Sequence, residues 1–258
     1  MGILNVTPDS FSDGGDHRDP QFAIQAGLQM VADGAAMLDI GGESTRPGAV
    51  AVTPDEEQRR ILPVIAGLAG AGVPVSVDTR NASTMAAALD AGASVVNDVS
   101  ALTFDGAAAE LVARRGCPVI LMHMRGTPHT MNSLAQYEDV VQAVLEELAT
   151  RIHAAQRQGV QRDAIALDPG FGFAKTAEHS TELLRRMGAL GVLGFPIVAG
   201  VSRKRFIGTL SGAADPKSRD AGSVAAGLFA LSQGASVLRV HDVAGTVQAV
   251  RVWQALQS

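Results

Sequence analysis

VPVSVDTRNASTMAAALDAGASVVNDVS, residues 73–100, carries the pattern that decides the fold. An apolar run over 74–78 ends in Asp78, apolar residues then recur at helical spacing over 82–91, and Gly92 follows where a helix would end in a left-handed cap. A second apolar run, 94–98, ends in Asn97-Asp98. Strands that are apolar on both faces and joined by a helix describe parallel pairing, because an antiparallel sheet with one wet face would alternate apolar and polar residues.

The unit repeats outward from there. Strand-like runs occupy 2–6, 36–41, 74–78, 94–98, 118–123, 165–168, 195–202 and 236–242, and helical spacing fills 20–33, 54–69, 82–91, 107–115, 137–158, 178–190, 221–233 and 243–256. Gly34, Gly92, Gly116, Gly159, Gly191 and Gly234 punctuate the helix ends. Eight β-then-α units in 258 residues fit an α/β fold made of one (β/α)8 TIM barrel spanning 1–258, with its site at the C-terminal ends of the strands. A doubly wound open sheet is the alternative the same pattern allows. The connections 7–19, 42–53 and 126–136 are long and rich in turn residues, and in a barrel all three lie on the face where strands end.

Composition narrows the class. With 47% apolar and 18% charged residues the chain is built to bury a core, and a net charge of −5 argues against a nucleic-acid partner held by bulk positive charge. The single cysteine, Cys117, rules out an internal disulfide and reads as a small core residue in a reducing compartment. No membrane span, export signal or lipid anchor is expected, which points to the cytoplasm. Only three of the 21 basic residues are lysines (Lys175, Lys204 and Lys217), so each is slightly more informative than an arginine.

Polar residues close the strand runs: Asn5, Asp39, Asp78, Asn97-Asp98, His123, Asp168, Ser202-Arg203-Lys204 and Arg239 to Asp242. Any one of them reads as a helix cap, but eight together converge on one mouth. Asp78, Asn97 and Asp168 supply the acceptors and donors that the edge of an amino-pyrimidinone ring needs, and Lys204 and Arg239 bring cations suited to an anionic or electron-rich group. DPGFGFAKT (168–176) looks superficially like a phosphate loop, but Ala174 stands where that motif needs Gly. His123 and the methionines Met122, Met124 and Met131 are expected to pack rather than ligate.

NVTPDSFSDGG (5–15), DIGGESTRPGA (39–49), SVDT (76–79), NDVSA (97–101), LMHMRGTP (121–128), DPGFGFAKT, GVSRKRFIG (200–208) and RVHDV (239–243) resemble, in order and over essentially the whole chain, the motifs of the dihydropteroate synthase family. The resemblance implies a pterin-binding TIM barrel, a homodimer, that condenses 6-hydroxymethyl-7,8-dihydropterin pyrophosphate with p-aminobenzoate, using Mg2+. Asp78, Asn97, Val99, Met122, Asp168, Phe173 and Lys204 resemble the pterin-binding set, while Asn5, Arg46, Arg239 and His241 resemble the pyrophosphate set, with Asn5 as the metal contact. Phe11, Thr45, Pro47, Phe173 and Ser202 resemble the p-aminobenzoate pocket, and Asp9, Arg46 and Lys204 the catalytic residues. Two departures stand out: the chain begins directly on the first motif, and Arg205 replaces a residue that is usually small. A non-catalytic pterin-binding homologue and a pterin-binding methyltransferase barrel remain as alternatives.

Overall fold

The computed structural model describes residues 1–7, 20–43, 52–127 and 129–257. Among them, eight parallel strands alternate with helices: β1 Gly2–Asn5, β2 Leu38–Gly41, β3 Val75–Asp78, β4 Val95–Asp98, β5 Val119–Met122, β6 Ile165–Asp168, β7 Val198–Ala199 and β8 Val237–Leu238. β1 to β6 form a continuous ladder, and β7 pairs with β8. Single parallel bridges, Leu167 to Ile197 and Gly2 to Val240, join these two sheets at both seams. At the second seam the Ile3 N–H donates to Val240 O (2.9 Å) and the Val240 N–H to Met1 O (2.9 Å), so the strands run in a closed ring.

The helices are α1 Pro20–Ala32, α2 Pro54–Leu68, α3 Ala82–Asp90, α4 Ala108–Arg115, α5 Val140–Arg157, α6 Ala177–Arg185, α7 Arg205–Ser211, α8 Asp220–Ser232 and α9 Val243–Ala255. Their starts follow local chemistry. Thr53 caps α2 by accepting the Glu56 N–H, Asp139 caps α5 through the N–H groups of Val141 and Gln142, and Asp242 caps α9 through the Gly245 N–H. Their apolar faces pack on the outside of the strands in one large core that includes Leu38, Ile40, Ile61, Val77, Val96, Leu121, Leu148 and Leu167.

Side-chain alternation explains why a polar mouth sits on an apolar barrel. Met37, Val95, Ile120, Ala166, Val198 and Val237 cluster inside the ring. Two residues further along the same strands, on the same inner face, stand Asp39, Asn97, Met122, Asp168, Gly200 and Arg239. The closed (β/α)8 barrel and its strand-end face agree with the sequence expectation.

Four details differ from it. The helical spacing over 178–190 breaks after Arg185, and residues 187–193 form a 3-10 segment around Gly188 and Gly191. The left-handed glycine at that end is Gly194 (φ 72°), not Gly191. The apolar runs over 195–202 and 236–242 pair fully for only two residues each, since their flanks contribute single bridges. Helix α7 lies outside the eight stretches of helical spacing, because seven residues with Gly208 in the middle carry too little periodicity.

Candidate active site at the strand ends

A pocket with about 370 Å³ of free space, open solvent at its mouth included, lies on the inner face at the strand ends. It is lined by Asp78 from β3, Asn97 and Val99 from β4 and its turn, Met122 from β5, and Asp168, Gly170, Phe171 and Phe173 from β6 and its loop. Gly200 and Lys204 follow β7, and Arg239 follows β8. The seven residues that resemble a pterin set all line this one pocket. Gly170, Phe171 and Gly200 line it too, and no motif reading marks them as site residues.

Carboxylates and a guanidinium tie the wall together. Arg239 donates from Nε to Oδ2 of Asp39 (2.6 Å) and from Nη2 to Oδ2 of Asp78 (2.6 Å), and Asn97 Nδ2 donates to the same Asp39 oxygen (3.0 Å). Asp39 is fully buried, and its Oδ1 has no hydrogen-bond partner among the described residues. Burial raises the Asp78 carboxyl to about 7 against the opposing pull of Arg239. Burial works against the charge of Arg239, but Asp39 and Asp78 outweigh it and raise its pKa.

Asp168 is buried. Its Oδ1 accepts the Gly170 N–H at 2.7 Å, and a methyl group on Gly200 would stand 3.2 Å from Oδ2, which places that oxygen toward the pocket. Burial raises its pKa, while the Gly170 N–H and the charges of Lys204 and Arg239 pull the other way. Lys204 Nζ lies 4.2 Å from the centre of the Phe173 ring, a cation–π contact, and burial, with Arg239 next, lowers it to about 8. Val99, Met122, Met131, Phe173 and Ala174 form an apolar cluster with Met124 against it, so the methionines pack, as expected.

Two turns aim these side chains. After β4, Asp98 accepts the N–H groups of Ser100 (2.7 Å) and Leu102 (2.9 Å), which holds Ala101 and Leu102 in the left-handed region and turns Val99 inward. After β7, Arg203 adopts a φ of 57°; its N–H donates to Ser223 Oγ (2.8 Å) and its guanidinium to both oxygens of Asp220 (2.6 and 2.8 Å). The basic turn is therefore a strut that presents Ser202 and Lys204, while Arg205, the unusual residue, is exposed on α7.

Ser202 and His241 form a pair. Ser202 Oγ accepts the backbone N–H of His241 (3.2 Å) and stands 3.0 Å from Nδ1 of its ring. Burial, then Arg203, Arg239 and Lys204, lower His241 to about 3, which keeps it neutral. Neither residue lines the pocket, and neither does Asn5, which ends β1 beside Gly41. Asp9, Phe11, Thr45, Arg46 and Pro47 lie outside the described residues. Cys117 is buried in the core, and among the described residues no helix is long and apolar enough to cross a membrane.

A family described as pterin binding enzyme matches residues 1–241. A protein named dihydropteroate synthase from Neisseria meningitidis serogroup C is 46% identical over 99% of this chain and 92% of its own length. The Xanthomonas albilineans dihydropteroate synthase solved with 4-aminobenzoic acid superposes with a TM-score of 0.95 at 50% identity, covering 100% of this chain and 92% of that one. The same enzyme in complex with 7,8-dihydropteroate gives 0.92 at 47% identity, over 100% and 93%.

Proposed function

The chain belongs to the pterin-binding enzymes and, within them, to the dihydropteroate synthases, and from that premise we propose that its strand-end pocket seats the pterin ring of 6-hydroxymethyl-7,8-dihydropterin pyrophosphate. The observation that carries this reading is the buried Asp168, with one oxygen held by Gly170 and the other facing a slot walled by Val99, Met122 and Phe173. A carboxylate so placed accepts N–H groups from the edge of a planar heterocycle, while Asn97, Asp78 and Lys204 supply further donors and acceptors along it.

The protein forms 7,8-dihydropteroate and pyrophosphate. The bond from the pterin methylene to the pyrophosphate oxygen breaks, the amine nitrogen of p-aminobenzoate bonds to that carbon, and the amine gives up a proton. No side chain acts as a nucleophile in this scheme. Arg239 keeps N–H groups beyond the two bound to Asp39 and Asp78, and these, with Lys204 in the same pocket, are suited to the negative charge of the leaving group, while His241 keeps its place in the pyrophosphate set by family likeness. Asp9 and Arg46 keep their catalytic assignment, and Phe11, Thr45, Pro47 and Ser202 their place against p-aminobenzoate, by family likeness.

Mg2+ fits the donors present. Asn5 offers one neutral oxygen, which suits an ion that takes one or two protein oxygens and the rest from phosphates. Asn5 would hold the ion, and the chemistry supplied there would be neutralisation of charge on the pyrophosphate. A cytoplasmic, reducing setting fits the single buried cysteine, and pairing with a second copy fits the exposed Leu210, Phe229 and Val252 on the adjoining α7, α8 and α9.

The test is a mass balance. Protein, Mg2+, the pterin pyrophosphate and p-aminobenzoate should yield 7,8-dihydropteroate and pyrophosphate in equal amounts, with neither formed when one substrate is omitted. Binding without turnover would indicate a non-catalytic barrel, and methyl transfer without pyrophosphate release a methyltransferase.

A further inference from the structure

DPGFGFAKT places a lysine behind the pocket that the reaction leaves unused. Lys175 is 7% exposed and does not line the pocket. Its Nζ donates to Gly170 O (3.0 Å) and Phe173 O (3.1 Å) and lies 2.8 Å from Nδ1 of His123. An ammonium has three protons, and each finds an acceptor here, yet none of the three is a carboxylate. A buried cation without a contacting anion is costly, so its retention calls for a role.

The acceptor state of His123 is set from outside. Its Nε2 stands 3.0 Å from Oε2 of Glu147 on α5, and a carboxylate only accepts, so Nε2 carries the hydrogen and Nδ1 keeps its lone pair for Lys175. Glu147 is held in turn by Arg125, whose Nε and Nη2 donate to Oε1 at 2.9 and 2.5 Å. Burial lowers Lys175 to about 7; Asp168 and Glu147 oppose that shift, and Arg125 and Lys204 add to it.

The segment tied down by this chain is the one that shapes the slot. Gly170, Gly172 and Ala174 all sit in the left-handed region, Ala174 with no exposed surface. The Phe173 N–H donates to Gly170 O (3.1 Å), so Lys175 closes the same turn from behind. From that turn the Phe173 ring meets Lys204 and the Gly170 N–H holds Asp168.

We propose that Lys175 is a positioning residue for pterin recognition: bonded to His123 and to the carbonyls of Gly170 and Phe173, it sets where Phe173 and Asp168 meet the ring. The proposal rests on the pterin reading of the pocket. It is tested by calorimetric binding of the pterin pyrophosphate to folded variants, with folding checked by circular dichroism. Lys175→Met should weaken binding about tenfold or more, and in a Phe173→Ala background the same change should cost clearly less than it does alone, because part of its effect passes through the Phe173 ring and the rest through Asp168. His123→Asn offers Oδ1 near the position of Nδ1, whereas His123→Leu fills the space without an acceptor. Asn should bind within about threefold of the unaltered protein, and Leu should lose about as much as Lys175→Met.

Folded Lys175→Met binding like the unaltered protein, full additivity with Phe173→Ala, or Leu matching Asn at position 123 would each overturn the proposal. If Lys175→Met does not fold, the two His123 variants decide. Failure of the unaltered protein to bind the pterin pyrophosphate would instead overturn the reading of the pocket.

Discussion

A methyl group on Gly200 would stand 3.2 Å from Oδ2 of Asp168, close enough to occupy the space that oxygen faces. Gly200→Ala should therefore weaken pterin binding about 5- to 50-fold while shifting stability by less than about 1 kcal/mol, because the intrusion is into the pocket and not the core. Calorimetry paired with urea unfolding checks it; equal affinity would remove Gly200 from the slot. His123 carries a pH signature. Burial, with Lys175 next, lowers it to about 4, whereas unfolded histidine titrates near 6.5. Between those values the unfolded chain binds the extra proton, so this group's stability contribution grows as pH rises and is complete above about 6.5. From pH 5 to pH 7 the unaltered protein should gain about 2 kcal/mol more than His123→Asn; equal gains in urea unfolding would contradict a buried neutral imidazole. At this scale the polar strand ends were legible because each stands at the end of an apolar run. Gly200 and Gly170 were not, since a missing Cβ means something only against a neighbour that the sequence does not display.

Two left-handed glycines at element boundaries carry different penalties. Gly116, the cap of α4 (φ 62°), has nothing within 4 Å of where a methyl group would stand, so Gly116→Ala should cost only the backbone strain, about 1 kcal/mol. Gly170 (φ 71°) brings the β6–α6 turn so close to β5 that a Cβ would lie 1.9 Å from His123 O. Gly170→Ala should cost more than about 3 kcal/mol, since the turn must move away from β5. Urea midpoints of the two variants check this, and similar losses would contradict the close approach. The element pattern was legible where helices are long, as in α2, α5 and α9. It failed at α7 and at 187–193, where glycines interrupt the spacing, and at β7 and β8, where an apolar run does not reveal how much of it will pair.

At the scale of the whole molecule, closure joins β1 to β8 and brings residues far apart in sequence to one mouth: Arg239 bonds Asp39 and Asp78, and Ser202 meets His241. Eight recurring units made the barrel legible, but these pairings were not, because they depend on which inner-face neighbours closure creates. The outer surface carries its own expectation. Exposed Leu210, Phe229 and Val252 on adjoining helices should pair two copies, so sedimentation should report twice 26.6 kDa, and a monomer at micromolar concentration would contradict it. The proposed pterin site rests on Asp168 as the carboxylate against the ring edge. Calorimetry of the pterin pyrophosphate with Asp168→Asn tests it: the unaltered protein should bind one equivalent per chain, and the variant should lose about 2–4 kcal/mol because charge-assisted bonds in a buried slot become mismatched. Unchanged affinity in a folded Asp168→Asn protein would contradict that role.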